Sequence, residues 1–284
     1  MYFKVNDELG LGYLSATIDI AKSVDRNQGY MIDLGWQKYI DEIVSLLGFT
    51  SFTPNEEIFA QAVADWQEKW NLKPDGIIGP KTWQLMQDKL NLNLDVIKTD
   101  RIKDRTALTP KDKRKNLKRG LVYALVLHQM AFSRGNDVRK YNNVTAHFII
   151  TPDGQIAQLH PISAYLYASN GFNKHSVAVE FAGNLPSVKG RCWKTENFGC
   201  HRLTSAQIEA GRYLVRTLIN KIGLTHILAH RQSSRSRSND PGPDIWYYIG
   251  QWAVNNLGLK DGGSGFKIGN GKPIPDSWRE WGKL

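Results

Sequence analysis

The sequence predicts an α/β domain built on one mixed, mostly buried sheet, preceded by a small three-helix bundle. Three observations support this. Residues 35–94 carry apolar side chains at helical spacing, residues 120–257 alternate short apolar runs with helical patterns, and a basic, apolar-poor stretch at 95–119 separates the two.

In the first part Trp36, Tyr39, Ile40, Ile43, Val44 and Leu47 recur at helical spacing, and Gly48 is a natural stop. The run TPNEEIFAQAVADWQEKWNL begins with Thr53 as expected N-cap and Pro54 at the first helical position. Its apolar stripe runs through Ile58, Phe59, Ala62, Val63, Trp66 and Trp70. After the turn KPDGIIG a third helix begins at Pro80 and carries Trp83, Leu85 and Met86. Residues 1–34 stand before the bundle as an unassigned extension, with a helical patch around Tyr13–Val24 and a turn at DRNQG.

The stretch 95–119 reads as a solvated linker or as a charged arm lying on an anionic surface. Beyond it, LVYALVLHQM is a buried strand, TAHFIITPDGQIAQLHP a strand, turn and strand, and SVAVEFAGN a further strand. Leu203–Ile222 is a helix with Thr204 as N-cap, THILAHR is a last strand, and DIWYYIGQWAVNNLG a last helix. The glycine-rich tail 258–284 is expected to pack only locally.

A net charge of +10 favours a polyanionic partner, and nucleic acid, acidic cell wall and anionic membrane all satisfy it. No run approaches the roughly 18–20 apolar residues of a membrane span. The N-terminus carries Asp7 and Glu8 where a signal peptide keeps positive charge, so the expectation is a chain made in the cytoplasm without a secretory signal. Cys192 and Cys200 are eight residues apart; they suit either a small disulfide loop or two free thiols, and not a zinc ribbon.

The chemistry-bearing residues are His128 and His230, each at a strand end, and Asp240 in NDPGP. Two imidazoles and a carboxylate leave a fourth position open, as a catalytic zinc site requires. Taken singly, each histidine is an ordinary core or surface residue and the Asp-Pro-Gly-Pro an ordinary turn.

Residues from about 120 to 255 resemble the type 2 N-acetylmuramoyl-L-alanine amidases, the group that includes amidase-type phage lysozymes and peptidoglycan recognition proteins. The matching segments are VLHQMA, VTAHFIITPDGQIAQL, SVAVEFAGN, LTSAQIEAGRYL and LAHRQ through DPGP, in that order. The resemblance implies a Zn2+ ion on His128, His230 and Asp240. It also implies cleavage of the amide between N-acetylmuramic acid and the first L-alanine of the stem peptide. Zinc chemistry suits the task, since it polarises a carbonyl and brings the pKa of bound water to about 7. The resemblance puts Glu180 in the place of the catalytic acid–base; from the residues alone it is equally an outward-facing strand residue. Some relatives use a tyrosine where this chain has Ala146, and His147 reads as a structural or supporting residue.

Two departures stand out. Ser238 occupies the place of a frequent lysine, with Arg237 or Arg235 as neighbouring sources of charge. Ala168 occupies the place of a frequent pocket histidine, with His175 nearby. Arg237, Ser238 and Asn184 are candidate oxyanion or substrate contacts.

The bundle resembles the type 1 peptidoglycan-binding domain through WQEKWNLKPDGIIGPKTWQLM, notably Asp75, Gly76, Gly79, Thr82 and Trp83. Physically, the glycines fit a tight turn, and Trp83 is open between core and contact. Together these imply a wall hydrolase with peptidoglycan, not nucleic acid, as partner. It would act at the cell wall or periplasm after phage-type release or specialised secretion. A non-catalytic peptidoglycan receptor and a nucleic-acid-binding basic protein are the competing readings, and any immunity protein or secretion apparatus is left open.

Overall fold

The computed structural model describes residues 17–49, 53–90 and 95–283 and divides the chain into two compact units, 1–92 and 93–284. The expected boundary near residue 94 falls within 91–94, outside the described residues, as does the start of the helical patch at Tyr13.

The first unit has four described α-helices: α1 (Ile20–Asp33), α2 (Ile40–Leu46), α3 (Glu56–Lys69) and α4 (Pro80–Lys89). α1 corrects the reading of the described part of the extension, residues 17–34, as lying outside the bundle. DRNQG is helical, and the buried Ser23 and Asn27 reach the Asp75-Gly76 turn. These polar side chains gave no apolar stripe to read. The cap of α3 is Asn55, whose side chain accepts from Ile58 N–H at 2.9 Å, and not Thr53. α4 does begin at Pro80.

One glutamine organises this unit. The Gln67 amide donates to Thr82 Oγ1 (2.9 Å), Ile77 O and Asp75 Oδ1, while its oxygen accepts from Asp75 and Gly76 N–H. Gly76 has φ 70°, and an added Cβ would meet the Ala60 carbonyl at 2.8 Å, so only glycine fits. Trp83 is 1% exposed beside Tyr39.

The second unit is a six-stranded mixed sheet, in the order β1-β4-β3-β5-β2-β6. Its strands are β1 (Ile102–Asp104), β2 (Ala124–Gln129), β3 (Phe148–Ile150), β4 (Ile156–Gln158), β5 (Ser176–Phe181) and β6 (His226–Ala229). Every neighbouring pair is parallel except the hairpin β3–β4. β2 is buried along its length, as its continuous apolar run requires. After the short α5 (Thr195–Phe198), α6 (Ser205–Ile222) starts with a capping box of Thr204 and Gln207 and ends at left-handed Gly223. It buries Ala210, Leu214, Val215 and Leu218. α7 (Pro243–Ile245) runs through a π-helical turn (Trp246–Gln251) into α8 (Trp252–Leu257), and α9 (Asp276–Arg279) lies in the tail.

Two expectations about this unit are corrected. The stretch 95–119 is no free linker: β1 pairs with β4, Ile97 and Ile102 enter the main core, and Ile97 N–H donates to the buried Gln158 Oε1 at 2.7 Å. Arg119 is itself buried and donates to the Ala164 and Ser176 carbonyls. The tail also packs beyond its own neighbourhood. Ile274 and Trp278 belong to the main core, and Ile268 and Lys272 N–H donate to Gln232 O and Arg231 O. Gly271 lies so close to the Gln232 carbonyl that any Cβ would collide with it. The tail thereby braces the segment that follows β6.

Candidate metal centre

Adjacent parallel strands β5, β2 and β6 end side by side, and open α/β sheets present their sites at such carboxyl ends. His128 is the fifth residue of β2 and registers with Glu180 on β5, so both project from one face. His230 follows β6 directly. Asp240 is brought back by its own backbone, whose carbonyl accepts from Arg231 N–H, and by Gln129 N–H, which donates to its Oδ1 at 2.9 Å.

His128, His230 and Asp240 are all buried, and each offers one ligand atom within 4.8 Å of the others. Asp240 Oδ2 lies 3.0 Å from His230 Nδ1 and 3.7 Å from His128 Nδ1. The outer ring nitrogens are engaged elsewhere: His230 Nε2 with Asn170 Oδ1 at 2.8 Å, and His128 Nε2 with Ser169 Oγ at 3.0 Å. Both rings thus turn Nδ1 toward one carboxylate oxygen, a place where a proton or a cation can be shared. The two separations from that oxygen bracket the roughly 3.3 Å edge of a tetrahedron with zinc-like bonds. The donor set fits a metal ion.

Electrostatics agree with that fit. Burial, reinforced by His230, pushes His128 down to about 4, which keeps it neutral and able to ligate. Burial alone would raise Asp240, but hydrogen bonds to His128 and His230 hold it well below the usual carboxylate range. Glu180 is driven well above that range by burial and then by the Asp240 charge, with Arg237 pulling the other way. Its Oε2 is buried without a hydrogen-bond partner.

The remaining sequence-predicted residues separate into groups. Arg237 is exposed, yet its charge acts on both Glu180 and His128. Ser238 is exposed, and its carbonyl accepts from Arg231 at 2.7 Å. Asn184 is corrected as a substrate contact: it is fully buried, and its side chain bonds Trp193 O, Gly199 O and Trp193 N–H, which anchors the loop closed by the Cys192–Cys200 disulfide. Gly76 and Trp83 are buried turn and core residues of the first unit, and the half-buried Asp75 belongs to the same turn. His147 is structural, its Nδ1 accepting from Ala178 N–H and its Nε2 facing Ala164 O, beside a buried Ala146. His175 bonds Leu121 O and stacks on Tyr123. Ser169, Asn170 and Gln129 were missed. Ser169 and Asn170 lie in LYASNGFNKHS, where the signal was two adjacent polar residues with side-chain oxygens rather than a histidine.

Two histidines at the ends of adjacent parallel strands, an aspartate returned to them by the following loop, and a half-buried acid with an enclosed Oε2 make this unit a candidate metal-dependent enzyme domain. Residues 118–243 match the N-acetylmuramoyl-L-alanine amidase family, and residues 53–86 match the putative peptidoglycan binding domain. The second unit therefore carries the amidase-family match and the first unit the peptidoglycan-binding match, and together they support a peptidoglycan-related role. Among solved structures it is similar to the endolysin amidase LysCS of Clostridium intestinale, at 17% identity and a TM-score of 0.41 over 58% of this chain and 100% of that one. Peptidoglycan Recognition Protein-1 of Manduca sexta is 14% identical with a TM-score of 0.40, over 54% and 90%. Human PGRP-IBETAC, solved with glycosamyl muramyl pentapeptide, is 14% identical with a TM-score of 0.40, over 57% and 99%. No curated protein matches the chain.

Proposed function

We propose that the chain is a zinc-dependent N-acetylmuramoyl-L-alanine amidase that cleaves peptidoglycan between the muramic acid and L-alanine. The observation that carries this reading is the trio of facing donors on His128, His230 and Asp240 with the unpartnered Glu180 Oε2 next to it. When bound there, a zinc ion supplies Lewis acidity and acidifies water toward neutral pH.

The chain's own residues do the rest. Ser169 and Asn170 fix the rings of His128 and His230, and Gln129 fixes Asp240. Glu180, with its raised pKa, takes the proton of the attacking water and returns it to the leaving amine nitrogen, as a group that titrates nearer neutrality does best. Arg237 supplies positive potential on the solvent side, in place of the lysine that Ser238 replaces. The first unit holds the enzyme near its polymeric substrate by tethering. Asp240→Ala is expected to abolish both zinc uptake and release of stem peptides from purified sacculi, with wall binding intact. A variant that still releases stem peptides at the wild-type rate would overturn the assignment, and a wild-type protein that binds sacculi without cutting them would favour a receptor.

A further inference from the structure

Trp193 and Phe198 lie on the disulfide loop, with rings parallel to within 7° and centroids 5.1 Å apart. Phe198 continues to Phe132 at 6.2 Å. Two cations on flexible stems lie over the row: Arg134 over the Phe132 ring at 5.2 Å and Lys194 over the Trp193 ring at 5.0 Å, each measured to the ring centroid. Between the two segments runs a groove of about 320 Å³ lined by Phe132, Ser133, Arg134, Asn197 and Phe198.

Trp193 remains 54% exposed despite these neighbours and belongs to no described core cluster. A large indole left in water forfeits the burial that such a side chain normally gains. The loop nonetheless holds it there firmly. The Cys192–Cys200 disulfide closes the loop, and buried Asn184 clamps it through Trp193 N–H, Trp193 O and Gly199 O. An exposed Trp193 held in place and backed by the half-buried Phe198 and Phe132 has already met the ordering cost of binding a flat partner.

Its place in the fold says which partner. Phe132 is four residues beyond His128 and Asn184 four beyond Glu180, and Gly183 N–H donates to Phe132 O to join the two strands' extensions. Four residues reach at most about 14 Å, a distance covered by a short run of sugar rings.

We propose that this row is a shelf on which a sugar ring of the peptidoglycan glycan strand stacks beside the metal centre, an inference that rests on the amidase reading. The apolar C–H face of a hexopyranose lies flat on an indole or phenyl ring, and its hydroxyls stay in water at the edges. Arg134 and Lys194 meet the lactyl carboxylates of muramyl residues whose stem peptides have already been removed, so the shelf holds the stripped part of the strand while cutting continues along it. A stem peptide would instead call for a sheet edge or discrete side-chain pockets.

The test uses the full chain stripped of metal, so that nothing turns over, titrated calorimetrically with peptide-free glycan strands of alternating N-acetylglucosamine and N-acetylmuramic acid. Trp193→Ala is expected to weaken binding about tenfold, Trp193→Phe to restore most of it, and Lys194→Glu to weaken it with the ring intact. Any binding by the helical unit is common to all variants and cancels. Equal affinity of wild type and Trp193→Ala for the glycan would overturn the shelf, as would a loss confined to free stem peptide. Zinc-loaded wild type is assayed in parallel on a soluble muramoyl-peptide. Failure to cut there counts against the amidase reading, whereas cutting together with an unaltered Trp193→Ala titration counts against the shelf alone.

Discussion

Each unit of the chain buries a polar centre, and the two centres are completed differently. In the helical unit Gln67 both donates and accepts at the Asp75-Gly76 turn, and Asn27 bonds Gly76 O and Ile78 N–H. In the sheet unit Asp240 Oδ2 faces two imidazole nitrogens and Glu180 Oε2 faces no partner. The Gln67 and Asn27 centre is saturated, as the cost of an unmet buried group favours, whereas the Glu180 oxygen beside the histidines is left open. The contrast separates two sets of motif residues that looked alike as sequence. Asp75, Gly76 and Trp83 build a turn and a core, whereas His128, His230 and Asp240, with Glu180 nearby, form a centre that could hold a metal ion.

Substitutions can break this comparison. The largest effect is expected from Glu180→Gln, which should slow release of stem peptides roughly 10²–10⁴-fold with zinc content unchanged. Loss of the metal in that variant would make Glu180 a ligand and undo the division of roles. Next comes Trp278→Ala, expected to destabilise the sheet unit by about 3–5 kcal/mol in denaturant unfolding, because the tail is part of its core. A change under about 1 kcal/mol would return the tail to the status of a local extension. Gln67→Ala should cost roughly 2–3 kcal/mol through unpaired groups at the turn, and zinc content should not move. If zinc binding fell as well, the two centres would not be independent.

The smallest effect is a pH slope. His160 is buried, and burial, with Arg114 and Lys113 acting the same way, lowers it to about 4 against the Val144 carbonyl and Asp112. The unfolded histidine titrates near about 6.5, so between these values the unfolded chain binds the extra proton. The contribution of neutral His160 is complete above about pH 6.5 and is lost as pH falls toward about 4. Urea unfolding of metal-stripped protein across that window should show stability falling with pH, and His160→Gln should flatten the slope. An identical slope in the variant would remove His160 from the account.

Much of the site-bearing sheet was legible because its signals are local. A continuous apolar run marks β2, a Pro-Asp-Gly turn marks the β3–β4 hairpin, and Thr204 marks the start of α6. The nearness of His128, His230 and Asp240, the proposed ligands, was legible only through the order of family segments, since single histidines carry no such information. What escaped was long-range. β1 pairs with a strand 54 positions away (Ile102↔Ile156), and local charge density concealed Ile97 and Ile102. α1 joins the bundle through Ser23 and Asn27, which bind backbone rather than packing as an apolar face. Ser169 and Asn170 act only through the imidazoles they orient, so two adjacent polar residues in their own segment were too slight a signal to place them there.

The central claim is that the facing donors of His128, His230 and Asp240 need a zinc ion to cut the muramoyl–alanine amide. Its most direct test is digestion of sacculi by the metal-stripped protein, then by the same sample after addition of one equivalent of zinc, with the released ends identified by mass spectrometry. The account predicts no cleavage in the first digest and new L-alanine amino termini in the second. Equal release of the same ends from both digests would contradict it.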